Sequence, residues 1–224
     1  MNKEQFSRSI GLLGKEDFAR ISSKTVFIAG LGGVGGTTFE ALVRTGVKKF
    51  IILDRDVVAI SNLNRQLLYT QNDLGKAKVI AAKERALSIN PEVEIITLND
   101  DIKNASEIKA DFIVDCIDDV QGKIHLIKYA LDHSIPFITS MGMANKTDPS
   151  RIKVAKLNKS SVDPLAKKVR YELKNASLDY SNVMCVYSDE APTKIDNKLY
   201  SLMMVTSTAG LHIANYVVNV LKSN

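Results

Sequence analysis

The sequence predicts an α/β protein built on a doubly wound, mainly parallel sheet, and three observations carry that expectation. Apolar strand-like runs alternate with helical patterns through the first two-thirds of the chain. A glycine-rich turn, Gly30-Leu31-Gly32-Gly33-Val34-Gly35, joins the first such run to a helical one. After Asp148-Pro149 the alternation becomes less regular, which adds a C-terminal strand and helix extension. Alternation of this kind makes βαβ units, and in such Rossmann-like sheets the ligand sits at the carboxyl ends of the strands.

The elements come in order. Strands are expected at Thr25 to Ala29, Phe50 to Leu53, Val93 to Leu98, Phe112 to Asp115 and Pro136 to Ser140, each a short apolar run. Helical patterns fill the gaps: Thr37 to Arg44, Asp73 to Ile89 with Asn72 or Asp73 as its cap and Asn90-Pro91 as its stop, and Val120 to His133. The extension reads as a strand at Ile152 to Leu157, a helix from Asp163 to Lys174, a strand at Val183 to Tyr187 and a helix from about Thr206 to Lys222. With no internal repeat or low-complexity linker, one domain over residues 1–224 is expected, and the composition of 45% hydrophobic and 25% charged residues suits it.

Several function classes are excluded at this level. No apolar run approaches the ~20 residues that span a bilayer, and Met1-Asn2-Lys3-Glu4-Gln5 lacks the apolar stretch of a signal peptide, so no membrane partner and a cytoplasmic location are expected. Cys116 and Cys185 are the only cysteines, too few for a disulfide framework or a four-cysteine zinc site, so no zinc is expected. The net charge of +5 is uneven: residues 1–150 carry 19 basic and 19 acidic groups, residues 151–224 carry 11 and 6. Eight basic residues between Arg151 and Lys174, including Lys167, Lys168 and Arg170, would attract a nucleic-acid backbone. Charge alone does not separate that reading from a solvated basic helix face.

The glycine turn says nucleotide. Gly30 permits the bend, Gly32 lets backbone N–H groups approach a phosphate, and Gly35 lets helix and strand pack closely, with the helix's positive end facing the anion. Asp54 lies 24 residues after Gly30, where an acidic residue accepts ribose hydroxyls. The segments beyond Asp54 depart from a dinucleotide site: Ser61-Asn62-Leu63-Asn64-Arg65-Gln66 is a polar cluster after the second strand, and Gly75-Lys76-Ala77-Lys78 puts a lysine near a helix start. Cleaving a triphosphate develops negative charge that positioned Arg and Lys groups stabilise. Asp115-Cys116-Ile117-Asp118-Asp119 ends the fourth strand, where a carboxylate can hold Mg²⁺ against phosphates; Asp118 fits that role and also that of an N-cap for the helix beginning near Val120.

Together these residues resemble the adenylating domain shared by ubiquitin-activating enzymes and bacterial sulfur-carrier activating enzymes, a ThiF-like pattern. The match runs through Gly-x-Gly-Gly-x-Gly, Asp54-x-Asp56, Asn62-x-Asn64-Arg65-Gln66, Gly75-x-x-Lys78 and Asp115-Cys-x-Asp118. The resemblance implies that a carboxylate oxygen attacks the α-phosphate of ATP and that an acyl-adenylate is handed to a nucleophile. It implies catalytic roles for Arg8, Arg65, Lys78 and Asp118, with Asp118 as the Mg²⁺ ligand and Arg8 supplied across a homodimer interface. Gly30, Gly32, Gly33 and Gly35 would contact the nucleotide, together with Asp54 on the ribose and Asn62 and Gln66 nearby. A monovalent cation and sulfur-transfer partners are left open.

Over nearly its whole length the chain is further similar to the tRNA threonylcarbamoyladenosine dehydratases. The carrying segments are Phe6 to Gly14, Ser140 to Pro149, Ser161 to Arg170 and Val186 to Pro192; Met143 is bulkier than the pattern's residue there. That resemblance implies tRNA as substrate, adenylation of the threonine carboxylate on the modified base, and ring closure by a nucleophile of the same side chain. Lys167, Lys168 and Arg170 would then grip tRNA phosphates. Cys185 reads as a core residue or, by analogy with ubiquitin-type enzymes, as a thioester nucleophile; Cys116 reads as core. The histidines His125, His133 and His212 read as packing or surface residues, and Met203-Met204 as core or interface filler. Rival readings are an activator of a ubiquitin-like sulfur carrier, which would need two Cys-x-x-Cys pairs, and a module that binds ATP without cleaving it.

Overall fold

The computed structural model describes residues 4–105, 107–193, 195–196 and 198–223. Two short helices, α1 (Ser7–Leu13) and α2 (Lys15–Ser23), precede the sheet and have no counterpart among the expected elements. Then come β1 (Thr25–Ala29), α3 (Gly33–Thr45), β2 (Lys49–Leu53), α4 (Lys78–Ile89), β3 (Glu94–Leu98), β4 (Phe112–Asp115), α5 (Val120–Asp132) and β5 (Phe137–Ser140). The extension supplies β6 (Ile152–Lys156), α6 (Pro164–Asn175), β7 (Met184–Ser188) and α7 (Met203–Ser223). Seven strands form one sheet in the order β3-β2-β1-β4-β5-β7-β6, parallel except for the antiparallel β6–β7 pair. Strand order reverses between β1 and β4, the switch point where the connecting loops part and leave a crevice.

The sheet divides the core in two. Val26, Ile28, Phe39, Phe50, Ile52 and the buried face of α7 fill one side; Phe27, Ile113, Leu126, Val169 and Cys185 fill the other. Alternate residues of β1 therefore serve opposite cores, as the two-residue period of a strand requires when both faces are covered. The helix α7 lies against α3, where the Thr37 hydroxyl donates to Ser207 Oγ at 3.1 Å and the Thr38 hydroxyl to the Gly210 carbonyl at 3.1 Å. Among the described residues no helix is long and apolar enough to cross a membrane.

Two boundaries differ from expectation for a physical reason. The helix expected from Asp73 starts at Lys78, because residues 75–78 are drawn into an antiparallel bridge: Gly75 N donates to the Val58 carbonyl at 2.9 Å, Val58 N to the Lys76 carbonyl at 2.8 Å and Lys78 N to the Asp56 carbonyl at 3.0 Å. Main-chain pairing with a distant segment there outweighs local helix preference. Conversely α3 starts at Gly33 and not near Thr37, so its positive end lies inside the glycine motif.

Glu40 ties α3 to α4. Its carboxylate accepts from Arg44 Nε at 2.8 Å and from Arg85 Nε and a terminal nitrogen at 2.9 and 3.2 Å. Burial alone would raise its pKa, but the bonds and charge of Arg85 and Arg44 outweigh that and hold it below the ordinary value of 4.5. A depressed folded-state pKa stabilises the fold at pH above the unfolded value, and that stability is lost as pH falls through the folded one. Glu40→Gln is expected to cost about 1–2 kcal/mol at neutral pH, modest because both arginines are half exposed, and to flatten the acid limb of a pH-stability profile. Chemical denaturation of both proteins at pH 7 and at pH 3 checks this.

Candidate active site

A cleft of about 950 Å³ opens at the carboxyl ends of the strands, with the glycine turn at one end and the loop after β5 at the other. The turn is held from three sides. Gly30 adopts φ +86°, and a Cβ there would lie 2.6 Å from the Cys116 carbonyl oxygen. A Cβ on Gly35 would lie 1.8 Å from the Gly30 carbonyl oxygen, so close helix–strand contact is built into this position. Leu31 N donates to Asp54 Oδ2 at 2.7 Å, and the Tyr69 hydroxyl donates to the Leu31 carbonyl at 3.0 Å. By contrast a Cβ on Gly32 would meet only the Gln66 amide, at 3.8 Å, so this glycine faces open cleft. The first turn of α3 begins at this glycine, and the N–H groups of a helix's first turn lack partners within the helix, which makes a ready anion site.

Around this cradle the structure gathers Asp54, Asn62, Arg65, Gln66, Lys78 and Asp118. Asp54 is buried, and its Oδ1 accepts from Asp56 N at 2.9 Å; each oxygen keeps a lone pair for another donor. Lys78 is only 5% exposed and its Nζ donates to Asp56 Oδ2 at 2.8 Å. Asp56, quoted in the sequence motif without a role, is thus the residue that holds this ammonium at the cleft wall. Asn62 is fixed by accepting from Ala59 N at 3.0 Å, and Arg65 uses one terminal nitrogen on the Ser61 carbonyl at 2.8 Å and Asn64 Oδ1 at 3.0 Å, which among the described residues leaves the rest of its fork unengaged. Among the described residues Gln66 Oε1 is buried without a partner, so it can accept from a ligand donor.

The two candidate roles of Asp118 separate cleanly. The cap of α5 is Asp119, whose carboxylate accepts from Gly122 N at 2.7 Å. Asp118 is exposed at the cleft and, among the described residues, makes no hydrogen bond or ion pair. Beneath it Asp115 is fully buried; it accepts from Lys123 Nζ at 3.1 Å, the Thr139 hydroxyl at 2.6 Å and Ile117 N at 3.0 Å, which anchors the loop that presents Asp118. Among the described residues no group of three or more His, Cys, Asp or Glu could hold a metal unaided. A lone carboxylate beside a phosphate cradle still fits Mg²⁺, which takes one or two carboxylates and completes its shell with phosphate and water.

The far end of the cleft is built by contacts that the sequence does not signal. Lys146 is 2% exposed and donates to Asp163 Oδ2 at 2.8 Å, the Gly142 carbonyl at 2.7 Å and the Ser188 carbonyl at 3.3 Å, which fixes the loop after β5 to the cap of α6. Such a contact joins residues far apart in the chain and leaves no local pattern.

Other expected residues lie elsewhere. Arg8 is exposed on α1 and does not line the cleft. Lys167 and Lys168 are exposed on α6 and, among the described residues, unpaired. Arg170 departs from the expected tRNA surface: its guanidinium is turned inward, donating to the carbonyls of Leu157 at 3.3 Å and Ser160 at 3.1 Å and to Ser160 Oγ. Arg151 and Lys153 are likewise drawn onto Asp189. Met203 and Met204 are 41% and 58% exposed, so they are not core.

Neither cysteine has the setting of a nucleophile. Burial, reinforced by the Asp115 charge, pushes the Cys116 thiol up to about 12, and burial with the Asp163 charge does the same to Cys185. Cys185 is fully enclosed in β7. Thiolate is therefore scarce at neutral pH. Cys185→Ala is expected to leave turnover within about twofold and to cost about 1 kcal/mol of stability; a loss of activity without unfolding would restore the thioester reading.

A family model described as "ThiF family" matches residues 6–223. A tRNA threonylcarbamoyladenosine dehydratase of Bacillus subtilis is 40% identical over 196 residues, 85% of this chain and 77% of the relative. The solved Escherichia coli tRNA N6-threonylcarbamoyladenosine dehydratase, in complex with AMP, superposes with a TM-score of 0.94 at 29% identity over 99% of this chain and 95% of that one. The same enzyme in complex with ATP superposes at 0.92 with 30% identity and the same coverage.

Proposed function

We propose, from the premise that this chain belongs to the ThiF family, that it is an ATP-dependent tRNA threonylcarbamoyladenosine dehydratase. The observation that carries the reading is the convergence of Arg65, Lys78 and Asp118 on the cleft that also holds the glycine cradle. The threonine carboxylate of the modified adenosine attacks the α-phosphorus of ATP and pyrophosphate departs. A nucleophilic heteroatom of the same side chain then attacks the acyl carbon, loses its proton and expels AMP.

Each residue has a part in that sequence. Asp54 receives the ribose hydroxyls while still holding Leu31 N. Asn62, Arg65 and Lys78 bear on the phosphates, and the charge of Arg65 and Lys78 matters most when the leaving pyrophosphate gathers negative charge. Asp118 would hold Mg²⁺, which neutralises phosphate charge when bound. Gln66 Oε1 gains a donor from the nucleotide. Arg8 comes from a second copy: it shares a face of α1 with Leu12, which is 88% exposed, and Met203, Met204 and Leu211 leave apolar surface on α7 that a homodimer would cover.

The tRNA, a cytoplasmic substrate, lies along α6. Replacing Lys167 and Lys168 by alanine is expected to weaken tRNA binding and to lower the slope of log affinity against log salt by about 1–2, with ATP binding unchanged. Equal slopes for variant and parent would remove α6 from the tRNA path. The function itself is tested by incubating the protein with ATP, Mg²⁺ and tRNA bearing threonylcarbamoyladenosine and weighing the released nucleosides. Loss of one water from the modified nucleoside is expected; an unchanged mass from protein that binds ATP refutes the reading. The other candidate, activation of a ubiquitin-like sulfur carrier, predicts carrier-dependent exchange of pyrophosphate into ATP, and the chain's two cysteines supply no Cys-x-x-Cys pair for it.

A further inference from the structure

The segment after β7, which lines the far end of the cleft through Pro192, Thr193, Leu199 and Ser201, has among its described residues no helix or strand to satisfy its backbone. Much of that satisfaction comes from one residue. Asn145 adopts φ +59°, a conformation that asparagine tolerates better than most residues. Its N–H donates to the Tyr200 carbonyl at 2.7 Å and its Nδ2 to the Lys198 carbonyl at 2.9 Å. Its Oδ1 accepts from Tyr200 N at 2.6 Å, and its own carbonyl accepts from Thr193 N at 2.8 Å. Nearby, Glu190 accepts from the backbone N–H groups of Thr147 and Asp148, both at 2.9 Å, and Asn64 Nδ2 holds the Ser201 carbonyl at 3.0 Å. The two loops that wall the far end are thus stitched to each other, with Asn145 as the centre of the seam.

We propose that Asn145 is a positioning residue whose clasp keeps water from the far end of the cleft, where an acyl group would lie when the nucleotide phosphates fill the glycine cradle, and so commits the acyl-adenylate to ring closure. The proposal rests on the dehydratase reading above. An acyl-adenylate has two fates with the same leaving group. Attack by the internal heteroatom forms the ring and releases AMP and a proton; attack by water releases AMP and two protons and returns the starting carboxylate. Water exclusion decides between them. AMP formed per ring formed therefore reads the clasp directly, and a purely structural residue would alter turnover without altering that ratio.

The test compares the parent protein with Asn145→Gly and Asn145→Asp on tRNA bearing threonylcarbamoyladenosine. Glycine keeps the positive φ and the two main-chain bonds, losing only the side-chain clasp; aspartate keeps the acceptor for Tyr200 N and loses the donor to Lys198. The parent is expected to form one AMP per ring. Asn145→Gly is expected to form at least ~3 AMP per ring, with KM for ATP within about twofold of the parent's because the phosphate cradle is untouched. A ratio that stays at one in Asn145→Gly overturns the proposal, as does faster loss of the ring when purified product is incubated with the variant than in buffer. If Asn145→Gly does not fold, the ratio in Asn145→Asp decides in the same way. A parent that makes no ring at all refutes the dehydratase reading instead, a distinct outcome.

Discussion

Replacing Lys78 by alanine is expected to lower AMP formation by about 10² to 10³-fold, the usual loss when a positioned charge aimed at a developing anion is removed. Arg65→Ala is expected to fall in the same range. The effect belongs to chemistry and not to folding. The Lys78 ammonium is held by Asp56, whose side chain is 59% exposed and can return to water once its partner is gone, while the buried Asp54, 4.0 Å from that ammonium, keeps its bonds from Leu31 N and Asp56 N. Melting temperature should therefore move little. If Arg8 acts across a dimer, mixing Arg8→Ala with Lys78→Ala chains regenerates one intact site in each mixed dimer, and activity should return to roughly a quarter of the parent's, the statistical share of such sites. Pyrophosphate release measured on the single variants and on the mixture decides both points; full activity in Lys78→Ala would contradict the placement of the triphosphate.

The second large effect separates two glycines three residues apart. Gly35→Ala puts a methyl 1.8 Å from the Gly30 carbonyl oxygen and 3.0 Å from the Cys116 side chain, with backbone on one side and the start of α3 on the other. Neither can yield cheaply, and about 3 kcal/mol of stability should go, lowering the melting temperature by about 10 °C. Gly32→Ala meets no protein atom closer than 3.8 Å and needs no unusual φ, since Gly32 lies at −71°. That protein should melt like the parent yet bind ATP far more weakly, because the methyl occupies the space of a phosphate. Calorimetry with and without ATP checks the pair. Equal melting temperatures for the parent and Gly35→Ala would contradict the close packing, and unchanged ATP affinity in Gly32→Ala would move the phosphates elsewhere.

How much of the molecule was legible in the sequence depends on the range of the interaction. The strand Thr25–Ala29 and the Gly-x-Gly-x-x-Gly turn were readable because each is specified by neighbours in the chain, and the parallel order came from alternation. The start of α4 was not, because a bridge between residue 57 and residue 77 decides it. The helix α1 has only seven residues, and Ile10 and Leu13, which pack on the core with Phe6 just before the helix, are too few to stand out as a helical period. The nucleotide side of the cleft was largely legible, since strand ends and helix starts place Asp54, Lys78 and Asp118 by rule. Asp118 and Asp119 could not be told apart by position; only geometry gives the cap to Asp119. Nor does sequence distinguish Arg170, folded back onto Ser160, from Lys167 one turn away. The seam made by Asn145, Lys146 and Glu190 was invisible, because it links loops about 45 residues apart through main-chain atoms that carry no sequence signature.

The chemistry depends most on one event, transfer of AMP to the threonine carboxylate in this cleft. It is tested by enriching that carboxylate with heavy oxygen in the tRNA substrate and tracing the label through a single turnover. Attack on the α-phosphorus predicts that one labelled oxygen leaves with AMP when the ring closes. Label in inorganic phosphate, with ADP as the second product, or label lost to water with unlabelled AMP, would contradict it.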